Sequence, residues 1–151
     1  MHVNIRRASS EEVIDLRHRV LRAGLGRETA IFHGDDAATS IHVVAVGAGD
    51  ETIACATLHL NEWQDAPAWQ LRGMAVAPGL QGQGIGSQLL AALESAAAQS
   101  EVNQLWCNAR TPAAKFYEKH GWRVVSEPFD IPTAGPHVKM IKAISRPSIS
   151  R

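Results

Sequence analysis

The sequence predicts an α/β domain of the α+β type, built on one mixed sheet. Three observations carry this. The 151 residues are the length of one domain. Strand-length apolar runs and runs of helical period follow one another in the order β-α-β-β-β-α-β-α-β-β, so a meander of strands precedes two helical crossovers. A segment of alternating glycines joins one strand directly to one helix.

Taken in order, residues 2–7 alternate apolar and polar and read as a short strand. Ser9-Ser10-Glu11-Glu12 then offers a hydroxyl cap followed by acids in a first helical turn, where the helix dipole favours negative charge. Val13, Leu16, Val20 and Leu21 recur at helical spacing, and Gly24 closes that helix. Residues 24–36 are turn-rich and read as a loop with room for one short helix. Residues 41–46 and 52–60, around Gly47-Ala48-Gly49-Asp50, form an antiparallel hairpin. Residues 61–68 contain Asp, Asn and Pro and read as a loop, before a strand over 69–77 closed by Pro78-Gly79.

The glycine segment 81–86 runs into a helix whose Ile85, Leu89 and Leu93 share one face. A strand over 103–108 follows. Pro112 suits a first helical position, and His120-Gly121 ends the short helix that carries Phe116 and Tyr117. Strands over 122–125 and 138–144 complete the domain, which spans 1–144, and the tail 145–151 is expected to be disordered.

Composition narrows the function classes. Hydrophobic residues make up 45% and charged residues 20%, the balance of a water-soluble globular chain. Fifteen basic residues offset fifteen acidic ones, so no net charge favours nucleic acid or a membrane surface, and neither is expected as a partner. Cys55 and Cys107 form no CxxC pair and sit in apolar segments, as buried free thiols do. The N-terminal residues lack a signal peptide's apolar stretch, and the expected location is the cytoplasm. The seven histidines show no metal-ligand spacing, so no metal is expected.

Gly82, Gly84 and Gly86 alternate with Gln81, Gln83 and Ile85, and Ser87 follows. Glycines allow positive φ and close backbone approach, and the helix start behind them offers unpaired N–H groups and a positive dipole end. A phosphate fits such a place; the alternative is a tight strand-to-helix turn without a ligand. It is not a P-loop, because Ser87-Gln88 stands where Lys-Ser/Thr is required. Nor is it a dinucleotide fingerprint, because the third glycine comes one residue early and Glu101 precedes the next strand.

Gln81-Gly82-Gln83-Gly84-Ile85-Gly86 resembles the Gln/Arg-x-x-Gly-x-Gly/Ala signature of the GNAT N-acyltransferases. Leu71-Arg72-Gly73-Met74-Ala75-Val76 resembles that family's fourth strand, and Leu105-Trp106-Cys107-Asn108 its fifth. Residues 113–122 resemble its Ala-x-x-Phe-Tyr-x-x-x-Gly-Phe/Trp element, and 127–130 with 135–140 look like the bacterial ElaA-type branch. The resemblance covers about 3–144 in topology and is specific over 69–140.

It implies a sheet of about seven strands with helices on both faces and splayed fourth and fifth strands. It further implies acetyl-CoA as cosubstrate, with its pantetheine arm in the gap on main-chain groups of Met74 and Val76, flanking Ala75. The pyrophosphate would lie on main-chain N–H groups of Gln81, Gly82, Gly84 and Gly86, within the segment Gln81, Gly82, Gln83, Gly84, Ile85, Gly86 and Ser87. Asn108 would reach the arm or serve as a strand-end cap. Tyr117 would protonate the leaving thiolate or pack beside Phe116. The acceptor, an amine of a small molecule or peptide, would be walled by 24–36, 61–68 and the C-terminal loop. His59, Glu62 and His137 are candidate bases, and Arg72 a candidate partner for an acceptor carboxylate. The expected activity is N-acetyl transfer by direct attack on the thioester; a catalytically silent acyl-CoA-binding module is the alternative. The oligomeric state is open, a homodimer included.

Overall fold

The structure, a computed structural model, describes residues 3–132 and 134–146. Strand β1 (Asn4–Arg7) leads to helix α1 (Ser10–Leu21). The Ser9 hydroxyl caps α1 by accepting from the Glu12 N–H, and Glu12 returns the contact to the Ser9 N–H, which satisfies two end groups at once. A 3-10 turn (Arg27–Ala30) follows, then β2 (Ile41–Val46), β3 (Thr52–Trp63) and β4 (Ala66–Val76). Helix α2 (Ile85–Ala97), β5 (Gln104–Arg110), helix α3 (Ala114–Lys119), β6 (Arg123–Val124), β7 (Phe129–Ile131) and β8 (Gly135–Ala143) complete the domain.

The expected mixed sheet is present, with eight strands in the order β1-β2-β3-β4-β5-β8-β6 and β7 paired to β8. Only the β4–β5 contact is parallel, made possible by the α2 crossover. Every β2 residue is buried, because both faces of the sheet are covered. Val44 and Val46 face Val13 and Leu16 of α1, whereas Val43 and Ala45 face Leu89 and Leu93 of α2.

Two readings of the sequence need correction. The 61–68 segment is not a loop: β3 and β4 pair through Trp63↔Ala66 around Gln64 and Asp65, both at positive φ. That is the backbone twist a two-residue hairpin requires, and Asp tolerates it. The C-terminal loop contains a strand of its own, β7. Of the tail, 147–151 lie outside the described residues, as do Met1 and, from the expected first strand, His2. Arg146 donates to the carbonyls of Ala98, Ser100 and Val102.

Strands β4 and β5 pair only at Trp69↔Leu105, Gln70↔Trp106 and Leu71↔Cys107. Beyond that point they part, as the splayed pair was expected to do. A bulge in β4 begins at the same place, where Gly73 and Met74 together stand opposite Ala56. Gly73 has φ +68, and a Cβ there would lie 2.6 Å from Arg17 Nε, so both conformation and space demand glycine.

Candidate active site

The gap between β4 and β5 opens into two joined cavities. The inner one, about 410 Å³, is bordered by residues 70–74 of β4, residues 107–110 of β5, and Tyr117. The outer one, about 850 Å³, is bordered by Val76, Gln81, Gly82, Gly84, Ile85, Gly86 and Ser87, with Lys119 opposite. Met74, Arg110, Ala113 and Phe116 border both, so the two form one cleft.

The outer cavity is built by the glycine segment. Gly82 and Gly84 both sit at φ +82, and Gly84 caps α2 with no side-chain bond. A Cβ on either would meet nothing within 4 Å. No packing inside the protein therefore calls for glycine at these two positions; the left-handed backbone does, and the space above it opens into the cavity. The first turn of α2 carries no acid, which leaves its N–H groups and dipole available to an anion. Gly86 differs: a Cβ there would lie 3.4 Å from the Phe116 ring, so it lets α3 pack close. Gln83 is exposed and Ala75 is buried against α1, and neither borders the cleft.

Main-chain direction along β4 follows from its far end. The Ala77 N–H bonds back to Ile53 O at 2.8 Å. By strand alternation the main-chain groups of Val76, and of Met74 two residues before, face the gap. The Gln81 side chain already reaches Val76 O there, at 3.2 Å.

Tyr117 is buried at the inner cavity, with the Phe116 and Trp122 rings 5.1 and 5.4 Å away. Burial, with Cys107 adding to it, drives its phenol pKa above the ordinary value. Burial likewise pushes the Cys107 thiol up to about 12 and the Cys55 thiol up to about 12, and both are free thiols. Asn108 lies within β5 rather than at its end, and its Oδ1 accepts from Lys139 Nζ at 3.0 Å.

The candidate bases are dispersed. Glu62 is exposed on the β3–β4 hairpin and does not border the cleft. His59 is buried with Nε2 2.9 Å from Asp35 Oδ1. His137 borders the inner cavity, and its Nδ1 donates to Gly135 O at 2.8 Å. Of the expected acceptor walls, 24–36 contributes Phe32 and the C-terminal loop contributes Ile131 and Ala134, while 61–68 contributes nothing.

Sequence reasoning missed a buried polar cluster behind the Gly73 bulge. Arg17 donates to both Asp35 oxygens, at 2.7 and 3.0 Å, to Ala30 O and to Thr57 Oγ1. His42 bridges Thr57 Oγ1 and Asp35 O. Burial pushes the Asp35 carboxyl up, but hydrogen bonds from His59, Arg17 and the Phe32 N–H outweigh it and hold the group well below the carboxylate range. Its one sequence signal was an arginine on the apolar face of α1, one residue after Leu16. Among the described residues no His, Cys, Asp and Glu group could hold a metal ion, and no helix is long and apolar enough to cross a membrane.

The fold is shared with solved acetyltransferases. Escherichia coli ElaA superposes with TM-score 0.77 at 17% identity, over 93% of this chain and 99% of that one. An aminoglycoside 6'-N-acetyltransferase complexed with coenzyme A gives TM-score 0.71 at 18% identity, over 96% and 99%. The chain belongs to the GNAT acetyltransferase family, whose acetyltransferase domain matches residues 38–124. The uncharacterized N-acetyltransferase YitI of Bacillus subtilis is 34% identical to it over 145 residues, 94% of this chain and 97% of that protein.

Proposed function

We propose that this acetyltransferase takes its acetyl group from acetyl-CoA and passes it to a primary amine by direct attack. The observation that carries the reading is the continuous cleft from the glycine loop to Tyr117 through the parted β4 and β5. Acetyl-CoA would supply an activated thioester at the inner cavity. The residues present fit it: open left-handed glycines and an acid-free helix start at one end, and an unpaired strand edge along the middle. Main-chain N–H groups of Gly82, Gly84 and Gly86 hold the pyrophosphate, with Lys119 alongside. Main-chain groups of Met74 and Val76, and the Asn108 amide, hold the pantetheine arm.

Each chemical demand then has a candidate group. A main-chain N–H at the Gly73–Met74 bulge steadies the tetrahedral oxyanion. Tyr117 protonates the departing thiolate. Its raised pKa keeps the phenol protonated, and so able to donate, at neutral pH. His137 is the base candidate at the cleft: a carbonyl can only accept, so Nδ1 carries the proton and the neutral ring keeps Nε2 as a proton acceptor. The neutral charge and two buried free thiols support a cytoplasmic setting.

The test is calorimetric titration with acetyl-CoA, followed by a screen of primary amines read as released thiol. Tight binding with amine-dependent thiol release is the expected result. Binding without release from any amine would favour the silent module, and absence of binding would end the reading.

A further inference from the structure

We propose that the acceptor is a small primary amine carrying an oxyacid anion, a carboxylate or a phosphate, which the Arg72 guanidinium holds at the Phe32 end of the inner cavity. This rests on the acetyltransferase reading and names its acceptor class.

The charges around the inner cavity are of one sign. Arg22, Arg72 and Arg110 border it, and among the described residues no Asp or Glu does. A polycationic acceptor would find no counter-charge there. Arg110 also borders the outer cavity and can serve the pyrophosphate, whereas Arg22 and Arg72 border only the inner one and lie beyond that role.

Arg72 has no acid of its own. The charges that act on it are Arg17, Asp35 and Arg22, two positive and one negative. Asp35 is already committed: Oδ2 takes Arg17 Nη1 at 2.7 Å and the Phe32 N–H at 2.8 Å, while Oδ1 takes Arg17 Nη2 at 3.0 Å and His59 at 2.9 Å. No ion pair among the described residues includes Arg72. What positions it is the Phe32 ring, 4.2 Å from the guanidinium, with Arg17 4.1 Å from the same ring. Burial lowers its pKa, the mark of a cation partly stripped of water without a partner. Arginine nevertheless stays charged, and its planar fork suits the paired oxygens of a carboxylate or phosphate.

The spacing fits a small molecule. Arg72 follows Leu71, the last β4 residue paired with β5, and precedes the bulge. Met74 lies two positions further on, roughly 7 Å along a strand. An amine a few bonds from its anionic group spans that interval, with the amine at the thioester and the anion on Arg72.

The experiment compares matched amines on the wild-type protein: the proteinogenic amino acids, their amides, O-phosphoethanolamine, ethanolamine and spermidine. Anionic amines should exceed their neutral counterparts in kcat/KM by about tenfold or more, the scale of one charged hydrogen bond. The carboxylate and phosphate arms decide which anion is preferred. Arg72→Gln should raise KM for the anionic amines by about 10- to 100-fold and collapse their preference, with the Kd for acetyl-CoA unmoved. Arg72→Lys keeps the charge without the fork and should fall between. Titration of the same amines into the coenzyme A complex reads binding independently of turnover. Equal use of neutral amines or spermidine, equal loss for all amines in Arg72→Gln, or no binding by any anionic amine would overturn the proposal. With acetyl-CoA still bound and amines still acetylated, only the acceptor class falls; if acetyl-CoA does not bind, the acetyltransferase reading itself is what fails.

Discussion

Lys139 fixes the orientation of Asn108. Its ammonium lies 3.0 Å from Asn108 Oδ1, and an ammonium can only donate, so the amide oxygen is the accepting end and its NH2 is left as donor at the cleft. Lys139 is steadied by the Trp106 and Phe129 rings, 5.1 and 5.2 Å away.

Asn108→Ala should therefore weaken acetyl-CoA binding by about 2- to 10-fold, the worth of one neutral hydrogen bond. Lys139→Met should act in the same direction and less, because the amide can then turn. Calorimetry on both variants is the check, and unchanged affinity in Asn108→Ala would leave that residue a purely structural part of β5.

Gly84 separates strain from charge. Gly84→Asn and Gly84→Asp both place a side chain at φ +82, which Asn and Asp tolerate best among residues other than glycine. Only Asp adds a negative charge at the start of α2. Gly84→Asp should lose at least tenfold more acetyl-CoA affinity than Gly84→Asn, with melting temperatures close together. Equal affinities would mean that no phosphate sits there.

Tyr117→Phe should lower kcat by about 10²–10⁴ and leave the acetyl-CoA Kd nearly unchanged, since the ring and its packing remain. The raised phenol pKa keeps Tyr117 protonated throughout the usual assay range, so its role should add no limb to the kcat profile below about pH 10. A fall in melting temperature with kcat preserved would make it a packing residue.

Asp35 should govern acid stability. Its folded pKa lies below the unfolded value, so its contribution is present above about pH 4 and is lost as pH falls further. Asp35→Asn leaves Arg17 buried without its counter-ion and should cost about 3–5 kcal/mol at pH 7. The variant should also lose less stability than the wild type between pH 5 and pH 3. Urea denaturation across that range measures both, and parallel pH profiles would refute the assignment.

The parts legible in the sequence were those with local signals. Alternating glycines, the Ser9 cap and the period of Ile85, Leu89 and Leu93 each act within one element, so the glycine-loop cavity could be anticipated. The hairpin at Gln64-Asp65 was misread because its turn lacks the Asn-Gly or Asp-Gly pair that usually marks such a bend, and Pro67 looked like a strand breaker although it lies near the start of β4. The Arg17–Asp35 cluster was invisible because its members, from α1, the following loop, β2 and β3, meet only when the sheet has formed. His59 drew notice as a base for its residue type alone, and only the fold shows its ring turned to Asp35.

The short parallel contact between β4 and β5 has a mechanical consequence. Three residue pairs join the β1–β4 half of the sheet to the β5–β8 half, and the cleft begins where they stop. The junction is a seam with little cooperativity of its own, and a ligand lying along it acts as a stitch. Occupancy then stabilises the whole domain by mass action, and amide hydrogen exchange should slow most at residues 72–76 and 108–110, the two lips of the seam.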